Sequence, residues 1–269
     1  MRGFVHCPLA ARWLVAATLL VVPHTAGAAL FTFTLARVLP APAGNVFALC
    51  YGDDGALWAH SQATYTIFKL DPLTGSVLQS FPGDGHSIFG LGLKSGILYG
   101  CEQPAIARFN ASTGAVLTPL PTPLVGGARG GTIIGNDLYV AGVLSGFPGD
   151  VRIGHVDPTT GALLGSCAPP GLLYTEVLGG IASFACYIVP QDPYASPTNQ
   201  ILRIVDPITG SFIEDDALFT GSDVYYGPTA SSTELFVSRR DLGQIWVYSY
   251  GSVVPARART WGAIKSLYR

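Results

Sequence analysis

The sequence is short of the fingerprints from which an activity is usually read. It contains no G-x-S-x-G elbow, no H-E-x-x-H pair, no phosphate-binding loop and no dinucleotide-binding glycine pattern. Those gaps remove the α/β-hydrolase, zincin, NTPase and Rossmann readings. No C-x-x-C spacing occurs among the cysteines, so zinc-ribbon and dithiol redox chemistry have no support either. Beyond the first 28 residues there is no apolar run of membrane-spanning length. Basic charge is also scarce in the body of the chain. Residues 29–256 carry nine Lys or Arg against seventeen Asp or Glu, a balance of −8 within a whole-chain value of −2. A surface of that sign repels phosphate backbones and argues against a nucleic-acid partner.

What is present begins with a leader-like segment. Arg2 and Arg12 are followed by an apolar stretch, Trp13–Val22, and by small residues at Ala26-Gly27-Ala28. This is the pattern of a secretory signal ending before Ala29. The expectation is an exported chain, periplasmic or extracellular, with no integral membrane segment once residues 1–28 are removed. Residues 252–269 form a basic tail with aromatics at Trp261 and Tyr268, resembling short C-terminal sorting tags of exported bacterial proteins. The 33 glycines and 20 prolines punctuate apolar runs instead of forming a tract, so disorder does not account for residues 29–251. Four cysteines remain after Cys7 leaves with the leader: Cys50, Cys101, Cys167 and Cys186. An even count in an exported chain permits two disulfides, of which Cys167–Cys186 would close the shortest loop. Cys50 and Cys186 lie inside apolar runs, where buried thiols fit equally well.

One phrase recurs. Residues 67–78 read I-F-K-L-D-P-L-T-G-S-V-L, and 106–117 read I-A-R-F-N-A-S-T-G-A-V-L. Residues 153–164 and 202–213 repeat it as I-G-H-V-D-P-T-T-G-A-L-L and L-R-I-V-D-P-I-T-G-S-F-I, and Ile245–Gly251 is a degenerate fifth copy. Alternating apolar runs around D-P-x-T-G describe a β-hairpin. The Asp carboxylate caps the turn amides, Pro sets φ and Gly takes the left-handed position. Asp71, Asp157 and Asp206 are thereby explained as turn caps, not as a ring of metal ligands. Two further strands precede each hairpin, starting at Val46, Ile88, Gly131, Leu178 and Tyr225, so each unit holds four. Five four-stranded units describe an all-β, five-bladed β-propeller. A sixth blade would require a degenerate unit hidden in a long connection. The last unit lacks its fourth strand, while Phe31–Leu39 is a spare strand with no unit before it. Placing that strand in the last blade closes the ring and removes an open edge.

The phrase, over residues 45–250, resembles the exported repeat propellers grouped with virginiamycin B lyase-like and NHL-type proteins. That resemblance implies the propeller fold. The lyase branch of the group uses a metal-assisted His and Glu set on its channel face, which has no residue-by-residue counterpart in this sequence. Many other members are binding or scaffold modules.

In such rings the channel mouth collects the loops leading into the innermost strands and those joining the second strand to the third. A fixed offset of twelve residues before Leu57, Leu98 and Leu235 marks Asn45, His86 and Asp223, and the matching zones of the third and fourth units hold Arg129 and Glu176. The second-to-third-strand loops add His60, Glu102, Asp192 and Arg239-Arg240-Asp241. The candidate ligand set is therefore Asn45, His60, His86, Glu102, Arg129, Glu176, Asp223 and Arg240. Plainer readings stand beside it. Asp84-Gly85-His86 reads as a solvated turn, Arg239–Asp241 as a surface ion-pair group, and His60 and His155 as hydrogen-bonded strand residues. Glu176 lies between apolar neighbours, where a carboxyl is expected to titrate high. No catalytic residue, metal ligand or cofactor is assigned. The leading expectation is an exported, non-enzymatic propeller that takes a protein, small molecule or carbohydrate at its mouth. The unlike residues at equivalent positions argue against five identical sugar pockets. The alternatives are a hydrolase or lyase using Glu176, Asp223 and a His, and an envelope component placed by its tail.

Overall fold

The structure, a computed structural model, describes residues 31–102, 105–124, 128–143, 151–169, 178–181, 183–190, 199–220 and 225–252. It contains five four-stranded antiparallel sheets. Blade 1 is β2 (Val46–Tyr51), β3 (Leu57–Ser61), β4 (Thr66–Leu70) and β5 (Val77–Pro82). Blade 2 is β6 (Gly90–Lys94), β7 (Ile97–Cys101), β8 (Ala105–Asn110) and β9 (Val116–Pro121). Blade 3 is β10 (Ala128–Ile134), β11 (Asp137–Val143), β12 (Val151–Val156) and β13 (Leu163–Cys167). Blade 4 is β14 (Leu178–Ile181), β15 (Phe184–Pro190), β16 (Asn199–Val205) and β17 (Phe212–Thr220). Blade 5 combines β18 (Tyr225–Ala230), β19 (Glu234–Arg239) and β20 (Gln244–Ser252) with β1 (Phe31–Pro40). The innermost strands β2, β6, β10, β14 and β18 pack in sequence, and β18 returns to β2. The count is five.

The repeated turns form as their chemistry dictates. In each copy one side-chain oxygen accepts two amides. Asp71 takes Leu73 and Thr74 at 2.8 and 3.0 Å, and Asp157 takes Thr159 and Thr160 at 2.7 and 3.1 Å. Asn110 and Asp206 do the same in blades 2 and 4. The glycine that ends each turn donates to the carbonyl of its Asp or Asn at 2.8 Å, with φ between 72° and 77°. These amides hold Asp71, Asp157 and Asp206 below the usual carboxylate range. Each carboxylate is committed to its own turn.

The apolar core is divided among the five seams between neighbouring blades. Trp58, Ile67, Leu91, Leu98 and Phe109 fill the seam of blades 1 and 2, and Cys101, Leu124, Leu138 and Val140 that of blades 2 and 3. Tyr139, Cys167, Ala185 and Tyr187 fill the next seam, and Phe31, Cys186, Ile204 and Val237 the one after it. Leu39, Leu49, Leu57, Phe236 and Val247 close the circle between blades 5 and 1. Each of these large apolar side chains contributes roughly 1.5–3 kcal/mol by leaving water. Near the axis there is no room for side chains at some positions. A Cβ on Gly90 would stand 2.0 Å from the Gly131 amide nitrogen, and one on Gly179 would stand 1.6 Å from the Pro228 carbonyl oxygen.

The seams also decide the cysteines. Cys50, Cys101, Cys167 and Cys186 are free and buried. The Cys167–Cys186 bridge expected as the shortest loop does not form. Cys167 points into the seam of blades 3 and 4, whereas Cys186 points out of the opposite face of blade 4 into the seam with blade 5. The Cys167 thiol donates instead to the Pro207 carbonyl at 3.3 Å. Burial pushes Cys50 and Cys101 up to about 12 and raises Cys167 and Cys186 as well.

Two outcomes follow from this packing. Gly179→Ala is expected to cost about 2 kcal/mol or more in urea denaturation, as overpacking does. Gly165→Ala, where an added Cβ meets nothing within 4 Å, is expected to stay within about 0.5 kcal/mol. Equal effects would contradict the crowded axis. Ellman's reagent is expected to find none of these four thiols in the native protein and all four after unfolding, and a reducing agent should leave Tm unchanged.

Candidate functional site

The two ends of the ring differ. One end carries the D-P-x-T-G turns and the β2–β3 type turns, whose polar groups are locally satisfied. Two clefts open there, of about 410 and 390 Å³. Both lie where the turn of one blade overhangs its neighbour. In the first, the Lys69 ammonium already pairs with Asp54 at 2.8 Å and Trp58 is buried.

The other end gathers the starts of the innermost strands, the β3–β4 type loops and the blade-to-blade connections. Here the structure brings together five of the eight residues singled out in the sequence. Asn45 precedes β2 with φ 64°, and its side-chain oxygen is buried without a hydrogen-bond partner. His60, next to last in β3, is fully buried, and neither ring nitrogen has a partner. The Ile88 backbone lies near the imidazole but outside hydrogen-bond geometry. Glu102 follows β7 with 4% of its surface exposed, and its Oε2 is likewise unpartnered. Buried polar atoms without partners are uncommon in folded proteins. Here four of them, on Asn45, His60 and Glu102, sit at one end of two adjoining blades.

The loop between β5 and β6 brings further charge to this corner. Its Asp84 carboxylate accepts the His86 amide at 3.1 Å. The His86 Nδ1 stands 3.5 Å from Asp84 Oδ1 and 3.8 Å from Glu102 Oε2. The reading of Asp84-Gly85-His86 as only a solvated turn is therefore corrected: the turn folds over Glu102. Burial, then the charge of Asp84 and hydrogen bonding with it, push the Glu102 carboxyl up to about 8. Burial pushes the His60 imidazole down to about 4, against small raising effects from the Ile88 backbone and the Asp84 charge. Near neutral pH both groups are uncharged, which their loss of solvent requires. The expected hydrogen bonding of His60 within its strand does not occur, because its ring is turned into the corner.

Beside this corner lies an aromatic wall that the polar candidates do not include. Phe47, Phe89 and Tyr226 come from the inner-strand starts of blades 1, 2 and 5. The Phe47 ring meets Phe89 edge-on at 6.2 Å and Tyr226 at 4.5 Å. Arg240, exposed in the 3-10 turn Arg240–Leu242, places its guanidinium carbon 4.7 Å over the Phe47 ring. It is thus part of the mouth, which corrects its reading as a surface ion pair. Arg239 does pair with Asp241 at 3.4 Å. The signal for the wall was in the repeat itself. Phe47, Phe89 and Tyr226 share one column of the inner strands, three residues before Cys50, Gly92 and Thr229, which pair with Trp58, Tyr99 and Phe236.

Arg129 lies in β10, and its side chain is outside the described residues, as are Glu176, Asp192 and Asp223 altogether. His155 stacks on Tyr139 at 5.1 Å with Nε2 3.2 Å from Asp137 but outside hydrogen-bond geometry, so the hydrogen bond expected of this Nε2 is not made.

No protein-family model matches the chain, and no curated protein matches its sequence. Solved structures do match its fold. The glutaminyl cyclase of Myxococcus xanthus aligns at 14% identity over 82% of this chain and 97% of its own, with a TM-score of 0.63. The virginiamycin B lyase of Staphylococcus aureus aligns at 16% identity over 78% of this chain and 68% of its own, with a TM-score of 0.45. At 14% identity the likeness to the cyclase is one of fold, and it agrees with the repeat-level propeller resemblance read from the hairpin phrase.

Proposed function

We propose that this is an exported binding propeller that captures a small polar ligand at the mouth formed by blades 5, 1 and 2. The observation that carries the proposal is the set of buried, unpartnered polar atoms on Asn45, His60 and Glu102 beside the Phe47, Phe89 and Tyr226 wall. A concave site with an apolar wall and a few convergent polar groups is the general form of a small-ligand pocket. The ligand best matched presents one flat or apolar face to the rings and hydrogen-bonding groups to the corner, as a carbohydrate or another polyhydroxylated molecule does. Arg240 would cover its outer side. Export rests on the leader-like first 28 residues.

One observation favours a second reading, an enzyme. Glu102 and His60 are shifted in opposite directions, to about 8 and about 4. A protonated carboxyl and a neutral imidazole at the same end of adjoining blades are a usable acid and base at neutral pH. The propeller of the Myxococcus xanthus glutaminyl cyclase shows that a ring of this shape accommodates catalysis. In this reading Glu102 donates a proton and His60 accepts one.

A thermal-shift screen of small polar compounds tests the first reading, since a bound ligand raises Tm by mass action. Compounds that raise Tm are expected to bind roughly tenfold more weakly to Arg240→Ala, about 1.4 kcal/mol, and to be unaffected by His155→Gln. Equal responses in both variants would move the site away from the mouth. Turnover of a bound compound, lost in Glu102→Gln while binding persists, would select the enzyme.

The pH dependence of stability tests the corner directly. Folded Glu102 keeps its proton up to about 8, whereas the unfolded carboxyl loses it near 4.5. The folded chain therefore holds the extra proton in that window, and the stability from this group falls as pH rises through it. His60 acts in the opposite sense, losing stability as pH falls from 6.5 towards 4. Glu102→Gln is accordingly expected to match the wild type in urea near pH 4.5. At pH 9 it should be more stable by roughly 1–2 kcal/mol, because local relaxation absorbs part of the ~1.4 kcal/mol that each tenfold change in proton affinity carries. A flat difference between pH 4.5 and 9 would count against the raised carboxyl.

A further inference from the structure

We propose that Asp84, His86 and Glu102 form a binding site for one first-row divalent cation, Zn²⁺ or Mn²⁺, at the seam of blades 1 and 2. One ligand atom from each of the three residues lies within 4.8 Å of the others. The His86 Nδ1 is 3.5 Å from Asp84 Oδ1 and 3.8 Å from Glu102 Oε2. With bonds of about 2.0–2.2 Å, neighbouring ligands of a tetrahedral Zn²⁺ stand about 3.3–3.6 Å apart. Small rotations of the exposed His86 and of the two carboxyls would close the set.

The surroundings point to a ligand independently of the spacing. Glu102 is 4% exposed, and its Oε2, facing His86, has no hydrogen-bond partner. His60 is fully buried with both nitrogens unpartnered, close enough to feel the Asp84 charge. Two carboxyl groups in one desolvated corner repel when ionised, and a dication between them removes that repulsion. The body of the chain, at −8 over residues 29–256, favours cations at its surface.

The donor set selects the metal. An imidazole with two carboxylates suits Zn²⁺ and Mn²⁺, whereas Ca²⁺ prefers six to eight oxygens and Mg²⁺ keeps most of its waters. Three protein ligands leave at least one coordination position open. The exposed His86 turns that position towards the mouth, while Asp84 and Glu102 hold the inner side, the arrangement of an open site rather than a closed structural one. Metal binding here requires no organic ligand, so the ions alone can probe it.

The experiment is calorimetric titration of the tag-free, chelator-treated protein with Zn²⁺, Mn²⁺, Ca²⁺ and Mg²⁺ separately. One equivalent of Zn²⁺ or Mn²⁺ is expected to bind, more tightly than Ca²⁺ or Mg²⁺. His86→Ala, at an exposed position, and the near-isosteric Glu102→Gln should each weaken binding roughly tenfold or more. His155→Gln should leave it unchanged. A Tm within a few degrees of wild type for both site variants would show that they fold. Absence of saturable one-equivalent binding would overturn the proposal, and so would binding that both variants retain. Tighter binding of Ca²⁺ or Mg²⁺ would overturn the assignment of the metal.

Discussion

Everything in the ring depends on the antiparallel pairing of Phe31–Pro40 with Gln244–Ser252. A blade buries its faces only between two neighbours, so an open row of five would expose apolar surface at both ends. β1 closes the row by contributing to two seams at once. Phe31 packs with Cys186 and Ile204 towards blade 4, and Leu39 with Leu49 and Leu57 towards blade 1. It also occupies the outer edge of β20, which would otherwise present unpaired amides. Arg37 adds a paired charge to Glu234 and a hydrogen bond of 2.7 Å to the Pro72 carbonyl, tying blade 5 to the turn of blade 1.

Closure of a five-membered ring crowds its axis, and the crowding shapes the site. Where inner strands approach most closely, glycine is required, as at Gly90 and Gly179. At the mouth the inner-strand starts of blades 5, 1 and 2 bring together the rings of Tyr226, Phe47 and Phe89. The fivefold scaffold therefore supports a one-sided site. At the turn end the Asp and Asn caps satisfy the turn amides, whereas at the mouth end no such cap serves the buried polar atoms of Asn45, His60 and Glu102. That contrast separates the scaffold from the part of the molecule suited to recognition. Four atoms on Asn45, His60 and Glu102 carry it.

Much of this was readable along the chain, and the exceptions share a cause. The turn role of Asp71, Asp157 and Asp206 was legible because the cap, the proline and the glycine lie within five residues of one another. Ring closure by Phe31–Leu39 was legible because one strand was missing and one was spare. The twelve-residue offset placed Asn45 and His86 at the mouth, and the second-strand ends placed His60 and Glu102 there. It was silent on the union of Asp84, His86 and Glu102. The Cys167–Cys186 pairing failed for the same reason: loop length measures distance along the chain, whereas Cys167 of blade 3 faces blade 4 and Cys186 of blade 4 faces away from it, into the seam with blade 5. The aromatic wall was visible as a column of the repeat, but only the ring shows that blades 5, 1 and 2 are consecutive around the axis.

By itself, then, the sequence determined the strands, the turns, the number of blades and the end of the ring at which unlike polar residues collect. These follow from interactions that span a few residues or recur at a fixed period: side-chain alternation, turn capping and the left-handed glycine. Only the tertiary structure decided which of those residues share a corner, which polar atoms lack partners, and which way His60 and Glu102 are shifted. Those properties come from desolvation and from approach between segments that closure brings together, and neither is encoded in local spacing.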